Sequence, residues 1–526
     1  MNRMMKKVLS VLLINLLVFG NTSLAADKKD NKTIDEERQR EIEKTLFMAS
    51  ASQNRVLKIG LVDCIAYALK NNSEIKIERI EPKLRDGDVK IARADFEPTF
   101  ATDFTLHDNT EIASSALQGA GARSFNSQDV NLNASVFGKW VTGTEYNVEF
   151  FNQRYKSDSS FQVFNPYYAT EPKITITQPL FKGFGILVNR ADIIIARNNK
   201  QASAETFKDR VMDVISKAKT AYYNYIYYLE NFALLKVSLE RAEDLWKINK
   251  ARYEKGLLSS VELLETETAV AQRQKSLLSA EASLRKAEDD LKLITNLVDD
   301  PETWNARLEL IDGEPLFKEE KIDLIACLKD AFTNRPDYNS QKIDLKNRDI
   351  KIATAKNALF PTVDLVTSFG INGLGDEYQE ALKNVNSNYP DWSIGFKINV
   401  PWGSAERAKF DQRNLEKAQA LLSFKRLEQN IILEVRDKAR AVDIQMRQVK
   451  AASLSQDKEG QNYEAQKERY AVGQVSTHDL LDYQEKLTGA QLDYAKALID
   501  YNIALINLDR SQGLALVKNN VKLEEG

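Results

Sequence analysis

Apolar residues in the C-terminal part of the chain recur at steps of three and four. Phe424, Leu427, Ile431, Val435, Ala439, Val442, Met446 and Val449 form one such series, which falls on a single stripe of a 3.6-residue helix and predicts a long amphipathic helix. Beyond Gly473 the spacing settles into rows seven apart: Leu487, Tyr494, Tyr501 and Leu508 in one, Gln491, Leu498 and Leu505 in another. Subtracting 217 from the first row gives Val270, Leu277, Leu284 and Leu291, so the same phase occurs earlier in the chain. A seven-residue period predicts helices that supercoil about one another. Residues 187–254 hold no proline, and a helix of that span reaches on the order of 100 Å. Such a helix needs packing partners along its whole length.

Between the helical stretches the period falls to two. Residues 100–107, 131–140, 144–150 and 173–178 alternate, as do 362–370 and 392–400. Alternating segments with aromatic flanks, here Trp140, Tyr146, Tyr389 and Trp392, have the pattern of membrane barrel strands of about ten residues each. The glycine-rich stretches 119–121 and 370–375 read as loops.

The chain is written twice. Leu61, Cys64, Ala68, Asn71, Glu74 and Pro98 return 263 residues later as Leu324, Cys327, Ala331, Asn334, Asp337 and Pro361. Pro179 matches Pro401 at an offset of 222, and Arg252, Tyr253, Gly256, Ser259 and Glu262 match Arg469, Tyr470, Gly473, Ser476 and Asp479 at 217. The fall from 263 to 222 places about 41 extra residues in the first copy between Pro98 and Pro179. They are expected to form an added β-hairpin near 129–155, turning at Val141. Each copy then reads as a short helix, a medium helix, strands, a very long helix, a tight turn and a return helix. The first copy covers 57–298, with strands at about 99–178 and its tip near 256. A linker at 299–320 leads to the second copy at 321–513, with strands at about 361–400 and its tip near 473, and a tail at 514–526.

The chain opens with a basic stretch to Lys7, an apolar run from Val8 to Phe19, and Ser23-Leu24-Ala25. This is the pattern of a secretory signal peptide over residues 1–25, followed by a charged extension at 26–56. The apolar run is shorter than the roughly 20 residues of a spanning helix, and nothing after it approaches that length, so membrane contact is expected through strands or at a surface. With 73 basic and 76 acidic residues interspersed, the charge offers no face for nucleic acid. Two cysteines and two histidines leave little material for catalysis or a metal site, and none is expected. Cys64 and Cys327 each lie on an apolar helical stripe, where cysteine packs as a small hydrophobe.

The doubled plan resembles the TolC-like outer membrane efflux proteins. The resemblance rests on the Pro98-Thr99-Phe100 and Pro361-Thr362-Val363 strand entries and on the strand exits at Pro179 and Pro401. It also rests on the paired tips Tyr253-x-x-Gly256-x-x-Ser259 and Tyr470-x-x-Gly473-x-x-Ser476. It implies a mostly α chain with membrane β, three copies of which share one outer-membrane β-barrel above a periplasmic coiled-coil tube. It further implies a passive duct docked to a periplasmic adaptor and an inner-membrane pump, in the outer membrane of a diderm bacterium. The tip residues Tyr253, Gly256, Ser259, Tyr470, Gly473 and Ser476 are the docking candidates. Asp479 and Asp482, with Glu262 and Glu265 at matching places, are expected to ring the entrance. The same acids also suit helix starts, where the macrodipole favours negative charge. Val475 stands where the family's best-known member has a gating arginine. The competing reading, a periplasmic coiled-coil adaptor, predicts one helical hairpin rather than two.

Overall fold

The computed structural model describes residues 56–112, 124–158, 163–297, 301–313, 315, 317–400 and 403–523. The expected signal peptide, residues 26–55 of the extension, the 119–121 loop and residues 401–402 at the second strand exit lie outside these.

Among the described residues there are eight principal helices: α1 (Leu61–Asn71), α2 (Ser73–Ala94), α3 (Ala191–Glu254), α4 (Ser260–Thr295), α5 (Leu324–Asn334), α6 (Pro336–Asn357), α7 (Ala405–Ala471) and α8 (Thr477–Ser511). The strands among the described residues are β1 (Val56–Ile59), β2 (Thr99–Ile112), β3 (Ser124–Lys139), β4 (Glu145–Ser157), β5 (Tyr167–Pro179), β6 (Arg307–Leu310), β7 (Thr362–Ile371), β8 (Gly373–Gly375) and β9 (Pro390–Asn399). Helices α1 and α5 both have 11 residues, and α2 and α6 both have 22. Their boundaries differ by 263 at every end, so the sequence repeat is a repeat of elements. The start of the medium helix is specified differently in each copy. The Asn72 side chain accepts from the Glu74 and Ile75 amides at 2.9 and 3.4 Å, whereas Pro336 occupies the first turn of α6, where a missing amide hydrogen costs nothing.

The chain forms two compact units. One takes the described parts of 1–76, 211–327 and 435–521, the other those of 77–210, 328–434 and 522–526. In the first, β1 and β6 pair in parallel over a core that includes Ile59, Cys64, Tyr222, Tyr225, Leu291 and Leu308. The Tyr225 hydroxyl donates to the Leu308 carbonyl at 2.9 Å and that of Tyr222 to Asp312 at 2.8 Å, which satisfies both phenols inside an apolar site. Burial, with Asp63 and Asp312 nearby, pushes the Cys64 thiol up to about 12. A second core packs Val442 and Val449 of α7 against Leu498, Tyr501 and Leu508 of α8. The heptad rows are thus the contact stripe, and Leu284 and Leu291 are buried at the matching places in α4.

In the second unit the strands form an antiparallel sheet in the order β2-β3-β4-β5-β7-β9, with β8 on the far end of β5. The added hairpin is β3–β4. Its turn places Gly143 at φ +96°, and the Trp140 amide donates to the Thr144 carbonyl at 2.8 Å. The strands run longer than the alternation, because polar residues such as Asn126 and Gln128 still pair in register where no apolar face marks them. The 370–375 stretch, expected as a loop, instead closes β7 and forms β8. Its glycines admit the one-turn helix Tyr378–Lys383: a Cβ on Gly373 would stand 2.2 Å from the Ala381 carbonyl oxygen.

Candidate functional site

The two helical tips are built alike. Gly256 and Gly473 take φ of +71° and +76°. The amides of Gly256 and Leu257 donate to the carbonyls of Tyr253 and Arg252, and those of Gly473 and Gln474 to Tyr470 and Arg469, which is the Schellman ending that glycine permits. The return helices then open on capping boxes. Ser259 Oγ accepts from the Glu262 amide at 3.2 Å while Glu262 Oε2 accepts from the Ser259 amide at 3.1 Å. Ser476 and Asp479 repeat this at 3.1 and 3.4 Å. The Ser476 hydroxyl also donates to Asp479 at 2.6 Å, and these bonds hold the Asp479 carboxyl below the usual range. One turn on, Asp482 pairs with Lys486 at 2.7 Å, both half exposed. Glu265 is half-buried. In the single chain, Glu262 and Asp479 therefore serve the helix starts.

The paired tyrosines, equivalent in sequence, differ in setting. Tyr253 is 44% exposed and Tyr470 only 7%. The Tyr470 hydroxyl donates to Asn249 Oδ1 at 2.5 Å and lies 3.2 Å from Thr477 Oγ1, and the Asn249 amide donates to Thr477 at 3.1 Å. Arg252 stacks 5.0 Å over the Tyr470 ring, and Val475 packs with Leu245, Leu480 and Leu487 nearby. This closed triangle ties α3 to the α7–α8 hairpin. Sequence reading overlooked Asn249 and Thr477. The signal at Asn249 was a polar residue on a stripe otherwise marked by the buried Ala242 and Leu245; the matching position in the second copy is Gln466.

A second buried polar layer joins α3, α4 and α8. Arg273 donates to Gln484 Oε1 at 2.9 Å and to the Ser238 carbonyl at 3.2 Å, and Thr488 reaches Ser238 Oγ at 3.2 Å. Buried polar groups of this kind fix helix register, because any slip leaves them unpaired.

The sheet carries the other candidate surface. Its register aligns Phe100 with Val136, Val136 with Val148, Val148 with Ile174, Ile174 with Phe369 and Phe369 with Trp392. One apolar row thus crosses six strands, and its members are 37–68% exposed. The neighbouring row, on the other face, runs Ala101, Ser135, Glu149, Lys173, Gly370 and Asp391. Lys173 there donates to Asp391 at 2.9 Å. Trp140 and Tyr146 meet at 5.3 Å by the β3–β4 turn, and Tyr168 and Tyr378 at 6.3 Å toward the opposite strand ends. Among the described residues β2 and β9 have neighbours on one side only.

The family model of outer membrane efflux proteins matches residues 145–297 and 327–514. The chain is 23% identical over 309 residues to nodulation protein T of Rhizobium leguminosarum bv. trifolii, covering 57% of this chain and 64% of that protein. It is 22% identical over 316 residues to outer membrane protein OprJ of Pseudomonas aeruginosa, covering 59% and 64%. The match thus spans under two thirds of either relative. Among solved structures, the CmeC outer membrane channel of Campylobacter jejuni superposes with a TM-score of 0.63 at 16% identity, covering 86% of each chain. The long helical hairpins and antiparallel sheet are therefore a TolC-like fold, and the chain belongs to the outer membrane efflux protein family.

Proposed function

We propose that this protein is the outer-membrane channel subunit of a tripartite efflux pump or type I secretion system: a passive homotrimeric duct, not an enzyme. The observation that carries the reading is the sheet with one exposed apolar face, one polar face and two edges unpaired among the described residues. In water such a face is an aggregation hazard; in lipid it is at home, and the edges must then be closed by further copies because unpaired backbone groups are costly there. A periplasmic coiled-coil adaptor has no use for it.

In this reading β2 of one copy pairs with β9 of the next, the apolar row faces lipid and the polar row faces the pore. The tip turns around Gly256 and Gly473 meet the periplasmic adaptor and pump, and Asp482, with Asp479, Glu262 and Glu265, lies near the entrance. The test is fractionation of membranes from expressing cells. A heat-modifiable trimer in the outer-membrane fraction that conducts ions in planar bilayers is expected. A water-soluble monomer retaining its full β content would end the proposal.

A further inference from the structure

We infer that the added hairpin β3–β4 is part of the membrane wall itself, so that three copies, each giving six strands, close an eighteen-stranded barrel. The inference rests on the channel reading above and extends it to the width of the pore.

Three observations carry it. First, the hairpin lies inside the ribbon: β3 pairs with β2 from Thr99↔Phe137 to Ile112↔Ser124, and β4 pairs with β5 from Glu145↔Thr177 to Tyr155↔Tyr167. A wall that omitted the hairpin would have to break both ladders and bring β2 directly against β5. Second, its faces are in phase with the strands on either side. Val136 and Val148 continue the apolar row from Phe100 to Ile174, and Ser135 and Glu149 continue the polar row from Ala101 to Lys173. A one-residue slip would invert every side chain, and a hairpin standing in water would have no reason to keep this phase. Third, Trp140 and Tyr146 sit where the hairpin turns, the position of an interfacial aromatic girdle.

The consequence is geometric. With strands about 4.8 Å apart and tilted by about 40°, eighteen close a cylinder about 36 Å across at the backbone, against about 24 Å for twelve. Barrels of 16–18 strands leave an aqueous channel. The duplication supplies two long strands from the second copy and four from the first, so the extra width comes entirely from the insertion in copy one.

The test places single cysteines on the full chain: V136C and V148C on the apolar face of the hairpin, S135C and E149C on its polar face, and I394C and K397C as references on β9. The native Cys64 and Cys327 are buried, and the parent chain sets the background. Each variant is labelled with an environment-sensitive fluorophore and reconstituted in vesicles of phosphatidylcholine with brominated acyl chains, and only preparations running as trimers are scored. We expect V136C and V148C to be quenched by the brominated lipid as strongly as I394C, and S135C and E149C to be quenched by aqueous iodide like K397C. Lipid quenching at I394C without quenching at V136C and V148C would overturn the hairpin's place in the wall and leave the channel reading intact. Absence of lipid quenching at all three would overturn both. Particle images of the unlabelled trimer in lipid discs give an independent count: eighteen strands are expected, and twelve would refute the inference.

Discussion

At the scale of single residues, the tips show how one type of side chain acquires different roles. Tyr253 and Tyr470 are read identically in sequence, yet Tyr470 is sealed between Asn249 and Thr477. Removing its hydroxyl leaves the buried Asn249 oxygen without its donor, so Y470F should cost about 1–2 kcal/mol in thermal unfolding, while Y253F should leave the midpoint unchanged. The capping bonds of Asp479 make a pH-dependent contribution. Its folded pKa is lowered by Ser476, so the stabilisation is present above the ordinary Asp value and disappears as pH falls through the folded one. The difference in melting temperature between wild type and D479N should therefore be full at neutral pH and close below about pH 3.8. If the entrance reading holds, the D479N/D482N double variant should also lose cation preference in single-channel recordings while still forming trimers. Unchanged selectivity would leave these residues as helix starters alone. The capping roles were legible from the Ser-x-x-acid spacing, and the buried triangle was not, because it depends on a helix far away in the chain.

At the scale of elements, backbone requirements are local and the sequence states them. Gly473 has a positive φ with no atom near its Cβ position, so G473A carries only the left-handed penalty, about 1 kcal/mol. Gly87, inside α2, has equally open surroundings and a helical backbone; G87A should stabilise by about 0.5–1 kcal/mol. Opposite signs in chemical denaturation are the expected result, and equal signs would refute the conformational argument. The eight helices, their repeat and the hairpin turn at 140–144 could be read from period, glycine and proline. The extent of β3 and the strand character of 370–375 could not. Both depend on a pairing partner or a packed helix, and residue type at the position records neither.

At the scale of the whole molecule, the apolar face and the open edges dominate. If lipid and neighbouring copies satisfy them, substituting Phe150 by Lys, on the apolar face of β4 midway between Tyr146 and the Arg154 that pairs with Tyr168, should cost about 2–4 kcal/mol near the bilayer midplane and lower the yield of trimer. The same substitution at Ser393, on the polar face, should be tolerated, as measured by heat-modified gel mobility. Sequence alone determined the duplicated plan, the heptad contact stripes, the inserted hairpin and the glycine turns, because each follows from steric or hydrophobic rules acting over a few residues. Tertiary structure alone decided that Tyr470 is locked while Tyr253 is free to water. It alone decided that Arg273 completes a buried polar layer, and that six strands share one apolar row. These outcomes depend on register between segments tens to hundreds of residues apart, set by the sum of many weak contacts that no short stretch of sequence contains.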